Sequence, residues 1–338
     1  MKKHLMIVAI LCCLSVLAFA GGQKEGKTEG EAAAEKIEIT FPHMNAVGDP
    51  IDQTAQKFKE LVESKNPRVV VNVYPAGQLG DDKQNIEGME MGTVHMTLSN
   101  PDYLSNLVPE FVVFALPYMF KDWEHVEMAM DGSVGQQLDE MLLEKEGIRD
   151  LAWGHNGFRN MATKNKPIKS MADFKGVKFR SPEIPVYMKM FQAIGATPTP
   201  IPWPEVYNAM KQGIVDGMET TPTGFVGAKI YEVAEYVIMT NHLYTAANIL
   251  MDNDFYEGLP GDARKAIDEA SEEIEPWQRK MVIEMSNDAF DFVEEQGMTI
   301  IEFDTSELRE AVKPVWVELT KDAPKAIDLA EEIGDLID

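Results

Sequence analysis

The stretch KQGIVDGMETTP, residues 211–222, repeats the pattern of an earlier stretch, EMGTVHMTLSNP, residues 90–101. Each reads as the end of a helix, a glycine, a short apolar strand, polar residues and a proline. Glycine commonly ends helices, and proline cannot continue a central strand. The repetition predicts two lobes that share a strand–helix–strand plan, and therefore an α/β fold.

The segments around these stretches fit the same plan. Alternating or β-branched apolar residues predict strands at 37–41, 69–74, 94–98, 177–179 and 214–218. A helical pattern over residues 260–297 is long enough to span both lobes. Pro276 lies inside that pattern, so we expect it to kink the helix or to split it in two.

The charge of the chain limits its partners. The 338 residues have a formal net charge of -25, with hydrophobic residues at 45% and charged residues at 26%. So acidic a protein repels nucleic acids and anionic membrane surfaces, so neither is an expected partner. A small anion is still possible, because arginines inside a cleft act over a few ångströms while distant charge is screened.

The first residues have the features of an export signal. Lys2 and Lys3 precede an apolar run over residues 5–19, and Ala18-Phe19-Ala20 forms a small-x-small cleavage site. We predict a cleavable signal peptide at 1–20, a flexible leader at 21–36 and a periplasmic location. A lipoprotein signal that uses Cys12 or Cys13 is the less favoured alternative, because bulky residues precede both cysteines.

Motifs for catalysis, metal binding and cofactor binding are missing from the sequence. It contains no HExxH, no GxSxG, no Walker A loop and no GxGxxG, and its two cysteines both lie in the predicted signal. His155 is close in sequence to Arg159, but no serine partner is visible. We therefore predict no metal, no cofactor and no enzymatic activity.

The segment KGVKFRSPEIPVYMKMFQAIG, residues 175–195, predicts an anion-binding arginine. Its apolar strand ends at Arg180, just before a helix that begins near Pro185. In open α/β sheets, ligands bind beyond the carboxyl ends of the strands. Two lobes that face each other would bring Asn100, Arg180 and Thr220 to one cleft, as in a hinged binding protein.

Four segments together resemble the solute-binding proteins of tripartite ATP-independent periplasmic (TRAP) transporters. They are YPAGQLGDD (74–82), FALPYMF (114–120), NGFRNMATKNKPIKSMADFKGVKFR (156–180) and GATPTPIPWPEVYNAMKQGIVDGMET (195–220). The resemblance extends from about Ile37 to the C-terminal helices. It implies a two-lobed periplasmic-binding-protein fold with a hinge and a long helix that crosses both lobes.

The resemblance also implies how the chain is organised and what it binds. Lobe I would comprise residues 37–156 and about 246–285, and lobe II residues 157–245 and about 286–338. The ligand would be an organic acid, delivered to the small and large subunits of a membrane permease. We expect the protein to be a monomer.

A set of ligand-binding residues follows from the same resemblance. The arginine that fixes the ligand carboxylate in family members corresponds to Arg180, and the assisting arginine to Arg159. Trp203 matches an aromatic residue that packs against the ligand. Thr220 replaces a common asparagine, and its hydroxyl donates one hydrogen bond where an amide donates two. Segments that often contact the variable end of the ligand contain Asp82, Ser99, Asn100 and Tyr103, and Asn45 lies in the first strand–loop contact.

Glu183 departs from the family pattern, since some members have a neutral polar residue there. A negative charge near a bound carboxylate is costly unless it faces ligand hydroxyls or pairs with Arg159. Asn100, Tyr103, Glu183 and Trp203 together suit a hydroxylated ligand with a ring. We therefore expect a sugar acid such as a uronate, and next a C4-dicarboxylate.

Two other functions stay open from the sequence. A sensor of the same fold would present the bound acid to a membrane receptor instead of a permease. A periplasmic enzyme that acts on organic acids would need a nucleophile, metal set or cofactor loop that the sequence does not show. We favour the transport protein over both.

Overall fold

The structure, a computed structural model, describes residues 36–321 and 323–336. The predicted signal peptide and nearly all of the predicted leader lie outside the described residues. Among the residues described, no helix is both long enough and apolar enough to cross a membrane.

A long antiparallel pair of strands forms the centre of the main sheet. β4 (Ile148–Thr163) pairs with β8 (Tyr236–Asp252) along most of its length. The strand order is β3-β8-β4-β7-β5-β6, and β9 pairs with β8. The shorter strands are β3 (Met96–Ser99), β5 (Lys178–Ser181), β6 (Thr197–Pro200), β7 (Gly217–Thr220) and β9 (Thr299–Glu302). A separate parallel pair consists of β1 (Ile37–Pro42) and β2 (Val69–Tyr74).

Helices cover these sheets. They are α1 (Pro50–Lys65), α2 (Asp82–Glu90), α3 (Pro101–Leu104), α4 (Trp123–Asp131), α5 (Ser133–Glu146), α6 (Pro185–Ala193), α7 (Val206–Gln212), α8 (Pro222–Gly227), α9 (Asn253–Gly258), α10 (Gly261–Glu295), α11 (Ser306–Thr320) and α12 (Pro324–Asp335). Short 3₁₀ helices occupy Pro109–Ala115, Met171–Phe174, Trp203–Glu205 and Ile230–Glu232.

The strands predicted at 94–98 and 214–218 begin later than expected, at Met96 and Gly217. The glycines that end the preceding helices have positive φ, +68° at Gly92 and +71° at Gly213. The residues after them still bond back to the helix: Val94 N donates to Gly88 O, and Ile214 N donates to Ala209 O. The first residues of each predicted strand therefore belong to the turn that ends the preceding helix.

The long helix is one continuous element, so of the two outcomes expected for Pro276 the split is wrong, and the kink stays a prediction. α10 runs from Gly261 to Glu295 with Pro276 inside it. Just beyond the proline, Gln278 accepts from His155 N at 2.8 Å and donates to His155 O at 2.7 Å. Arg279 Nε donates to Trp153 O at 3.0 Å. These bonds tie α10 to β4 within one turn of the proline, which itself removes a hydrogen bond from the helix.

Four apolar clusters form the core. The first surrounds the 3₁₀ helix Pro109–Ala115 with α4, α5 and α12. The second joins β1, β2, β3 and α1 to the first half of α10. The third contains β5, α6 and α11, and the fourth contains α7, β7, α8 and the end of α10. α10 thus packs on two clusters. α12 packs on the first cluster, whose other helices lie in predicted lobe I, although the sequence of α12 lies in predicted lobe II. The lobe boundaries stay a prediction.

Candidate functional site

Arg180 lies on β5 and is buried without an acidic partner. Its side chain is only 1% exposed, and its Nε donates to Ile201 O at 2.8 Å. Within the part of the chain that the structure describes, no carboxylate lies within 4.0 Å of its guanidinium. Burial lowers the pKa of Arg180. A buried guanidinium is costly unless an anion pairs with it.

Arg159, on β4, differs because it already has a partner. Its Nε and Nη2 donate to the two carboxylate oxygens of Glu219 at 2.5 and 2.7 Å. Antiparallel pairing of β4 with β7 sets Met161 opposite Glu219, so Arg159, two residues along the same face of β4, is the diagonal neighbour of Glu219. Burial by itself would raise the pKa of the Glu219 carboxyl, but the ion pair outweighs burial and lowers it to about 2. Glu219 therefore compensates Arg159 and fixes its position.

Aromatic rings lie against both guanidinium groups. The guanidinium carbon of Arg180 lies 5.5 Å from the centre of the Trp203 ring, and that of Arg159 lies 5.1 Å from the centre of the Tyr187 ring. Such cation–π contacts hold a cation in place without neutralising it. The charge of Glu219 acts on Arg180 from a distance, but no described residue forms an ion pair with Arg180.

The other wall of the site carries two buried acids. Asp82 is the first residue of α2, and its side chain is 5% exposed. No residue that the structure describes bonds or pairs with its carboxyl group. Asp102, on α3, accepts from the Tyr187 hydroxyl at 2.5 Å. Burial, and after it the charge of Asp102, raises the pKa of Asp82 well above its usual value.

Thr220 is the last residue of β7, and Gly224 of α8 lies close to its side chain. A Cβ on Gly224 would lie 2.3 Å from Thr220 Oγ1, so only glycine fits at that position while the threonine keeps its place. Thr220 is buried. Thr221, the next residue, begins α8 and accepts from Gly224 N at 3.3 Å. The turn thus fixes the threonine at the edge of the cavity.

These side chains line a small inner cavity that adjoins a larger outer one. The inner cavity has a volume of about 50 Å³ and the outer one about 490 Å³. Both are lined by Met44, Tyr103, Pro182 and Trp203. The larger volume falls within the range of about 300–1,000 Å³ that small-molecule sites occupy. The inner cavity therefore supplies the charged groups, and the outer cavity supplies the space for a small molecule.

Most of the residues predicted for the site lie together. The inner cavity is lined by Asn45, Asp82, Asn100, Tyr103, Arg159, Arg180, Trp203 and Thr220. Glu183 is exposed and lines the outer cavity instead, and the acid that pairs with Arg159 is Glu219 rather than Glu183. Ser99 lines neither cavity. Asn100 faces the cavity, and successive side chains of an extended segment point to opposite faces, so Ser99 points away from it.

Sequence reasoning missed several residues of the inner cavity. They are Met44, Asp102, Asn156, Pro182, Tyr187, Thr221 and Gly224. Asp102 lies two residues beyond Asn100, and Tyr187 lies in the first turn of the helix after Arg180, so proximity to a predicted strand end was the available signal. Nothing local in the sequence indicated that Glu219 pairs with Arg159.

His155 has a structural environment. It is fully buried, its Nδ1 lies 2.6 Å from the Tyr244 hydroxyl and its Nε2 lies 3.1 Å from a Glu127 carboxylate oxygen. It lines neither the inner nor the outer cavity. The described residues also contain no group of three or more histidines, cysteines or acids that could hold a metal ion.

A cavity between α/β elements, with a buried unpaired cation in its wall, defines a binding protein for anionic solutes. The chain belongs to the family described as bacterial extracellular solute-binding protein, family 7 (DctP), whose model matches residues 41–322. The C4-dicarboxylate-binding periplasmic protein DctP of Rhodobacter capsulatus is 34% identical over 305 residues, which are 90% of this chain and 89% of that protein. The predicted membership among TRAP solute-binding proteins is confirmed.

Solved structures show the same fold. A TRAP solute-binding protein of Roseobacter denitrificans with bound β-D-glucuronate has a TM-score of 0.84 at 28% identity, covering 88% of this chain and 98% of that one. The sugar acid binding protein DctPAm of Advenella mimigardefordensis, in complex with galactonate, has a TM-score of 0.83 at 28% identity, covering 88% and 99%. The predicted two-lobed α/β fold with a long helix is confirmed, as is the prediction that the chain is not an enzyme.

Proposed function

We propose that this protein captures a sugar acid outside the cytoplasm and delivers it to the membrane subunits of a TRAP transporter. The observation that carries the proposal is the buried guanidinium of Arg180, which faces the inner cavity without an acidic partner. A ligand carboxylate supplies the missing anion, and the planar fork of arginine donates two parallel hydrogen bonds to it.

Arg159 assists from the neighbouring strand. Glu219 occupies its Nε and Nη2, so its remaining nitrogen is the one available to a ligand. Thr220 adds a hydroxyl, and Trp203 provides an apolar face for a sugar ring or chain. The bound glucuronate and galactonate in the two similar structures support a hydroxylated acid as the ligand.

A C4-dicarboxylate is the second candidate. The relative from Rhodobacter capsulatus is described as binding such acids, and the same arginine clamp would hold one of their carboxylates. Capture for a membrane sensor would use the same site and differ only in the partner that receives the closed protein. Both alternatives leave the role of Arg180 unchanged.

Removal of the guanidinium at position 180 tests the clamp. We expect D-glucuronate or D-galactonate to raise the melting temperature of the wild-type protein by several degrees at about 100 times Kd, since binding there stabilises by roughly 2.7 kcal/mol. Arg180→Ala removes the partner of a buried charge, so affinity should fall by a factor of about 30 or more. The measurements are thermal shift and isothermal titration calorimetry.

A surface arginine is the matched control. Arg264 pairs with Glu257 at the surface and lines neither cavity, so Arg264→Ala should leave the ligand-induced shift intact. Glucose serves as the neutral ligand and should cause no shift. Acid binding that survives in Arg180→Ala would show that the arginine is structural and would contradict the clamp.

A further inference from the structure

Two buried groups of opposite charge line the inner cavity without pairing with each other. Arg180 is 1% exposed and Asp82 is 5% exposed. Apart from the bond from Arg180 Nε to Ile201 O, neither charged group has a hydrogen bond or an ion pair with any residue described. Buried charges in proteins are normally paired. An unpaired acid and an unpaired cation in one cavity indicate a ligand that satisfies both ends.

Arg180 and Asp82 require different chemical groups from a ligand. Arg180 has only donors, so it needs an acceptor that carries negative charge. Asp82 needs a hydrogen-bond partner that brings no further negative charge, and a hydroxyl group meets that need whether the carboxyl is ionised or protonated. A ligand with a carboxylate at one end and hydroxyl groups at the other fits this division.

A second acid, Asp102, adds negative charge near Asp82, and its charge also acts on Arg159. Asp102 lines the same cavity, and its carboxylate is held by the Tyr187 hydroxyl. The charges of Asp102 and Asp81 act on Asp82. The neighbouring Tyr103 is acted on by Asp82 and Asp102 and by the two arginines of the cavity. Both acids near Asp82 raise its pKa, after burial, which is the largest cause. A second ligand carboxylate at this end would meet like charge in a place shielded from water.

The lining of the outer cavity also carries a net negative charge. Four acidic residues and one lysine line it: Asp81, Glu87, Glu90, Glu183 and Lys83. Lys83 Nζ lies 3.9 Å from Glu87 Oε1, so the lysine already has an acidic partner. A ligand that extends outward from the arginines therefore finds no free cation for a second carboxylate.

We propose that the site accepts acids with a single carboxylate and an uncharged, hydroxylated far end, and that Asp82, supported by Asp102, excludes acids with a second carboxylate. This inference rests on the proposed function and narrows it. It separates the chain from the C4-dicarboxylate-binding relative, with which it shares about a third of its residues.

Two pairs of probes differ by the second carboxylate alone. D-galactonate and galactarate share a carbon skeleton, as do D-glucuronate and D-glucarate. By titration calorimetry at pH 7.5, the wild-type protein should bind the better monoacid at least about 30-fold more tightly than its diacid. Asp82→Asn keeps the shape and removes the charge, so this ratio should fall at least about tenfold.

Two further variants make the test specific. Glu257→Gln removes the same charge at the surface, away from both cavities, and should leave the ratio unchanged. Asp102→Asn should lower the ratio in the same direction as Asp82→Asn, which keeps the test valid if one variant folds poorly.

The outcomes separate the two proposals. Equal affinity for monoacid and diacid in the wild type, or an unchanged ratio in both aspartate variants, would overturn this inference and leave sugar-acid capture intact. Failure of every acid to bind would overturn the proposed function and this inference with it. A gain in affinity for the diacid but not for the monoacid, in Asp82→Asn and in Asp102→Asn, would support the filter.

Discussion

At the residue scale, the two arginines of the cavity show how a neighbouring carboxylate decides the role of a cation. Glu219 binds Arg159 through both carboxylate oxygens, whereas Arg180 bonds only to a backbone carbonyl. The first arginine is held in place before any ligand arrives. The second has a charge that only a ligand compensates, so ligand affinity should depend on it most.

The ion pair itself is a stability element, and Glu219→Gln tests it. Removing one partner of a buried pair leaves Arg159 buried and unpaired, which costs about 3–5 kcal/mol of unfolding free energy. The pKa of Glu219, lowered to about 2 by Arg159 against the effect of burial, has the same sign: the folded protein favours the ionised carboxylate. Urea denaturation at pH 7 measures the loss. Glu257→Gln, in a surface pair with Arg264, should cost about 1 kcal/mol or less.

The same pair predicts a pH dependence. Because the folded-state pKa of Glu219 lies below its ordinary value of 4.5, the contribution is fully present above about pH 5 and is lost as pH falls toward 2. The difference in stability between wild type and Glu219→Gln should therefore narrow over that range. A difference that stays constant with pH would contradict an ionised Glu219.

At the element scale, the contact between β7 and α8 positions the hydroxyl of Thr220. Gly224→Ala would place a Cβ 2.3 Å from Thr220 Oγ1 and 3.0 Å from its Cγ2. We expect a loss of about 1–2 kcal/mol in stability. We also expect weaker binding of the sugar acid, because the displaced side chain moves at the cavity wall. Thermal unfolding and calorimetry measure the two effects.

A double variant shows whether the clash is the cause. Thr220→Ala removes Oγ1 and Cγ2, the two atoms closest to the Cβ added at position 224. The Cβ of residue 220 then remains, 3.2 Å from that added Cβ. The pair should be non-additive, with Gly224→Ala costing much less stability in the Thr220→Ala background. Additive losses would mean that Gly224 is needed for another reason, such as the helix start at α8.

At the scale of the whole molecule, the net charge opposes the capture of an anion. The chain carries a formal charge of -25, and acids also surround the entrance. The association rate of a sugar acid should therefore rise with salt, by roughly two- to tenfold between 10 and 150 mM NaCl, because screening weakens the repulsion. The dissociation rate should change little, since the buried contacts are shielded from salt.

Stopped-flow tryptophan fluorescence measures this association, since Trp203 lines both cavities, and Trp203→Phe shows which part of the signal comes from it. Glu183→Gln neutralises one charge at the outer cavity and should raise the association rate at low salt but not at high salt. An association rate that falls with salt would mean that the two arginines attract the ligand over a longer range than the surface acids repel it.

Local patterns in the sequence were sufficient for much of this structure. The repeated helix–glycine–strand stretches predicted an α/β fold, and the position of Arg180 after an apolar strand predicted its place at the cavity. These features depend on neighbours in the chain: strand propensity, helix ends and proline positions act over a few residues. The strands after Gly92 and Gly213 were displaced because the helix-ending turn extends past the glycine.

Only the tertiary structure decided which charges meet. The partner of Arg159 is Glu219, 60 residues away on the adjacent strand, and Asp102 meets Tyr187 across 85 residues. Pro276 stays inside a continuous α10 because Gln278 and Arg279 bond to β4, more than 120 residues earlier. Sequence alone shows which residues are charged, but burial and pairing depend on contacts between distant segments. Those contacts leave Arg180 and Asp82 unpaired in one cavity.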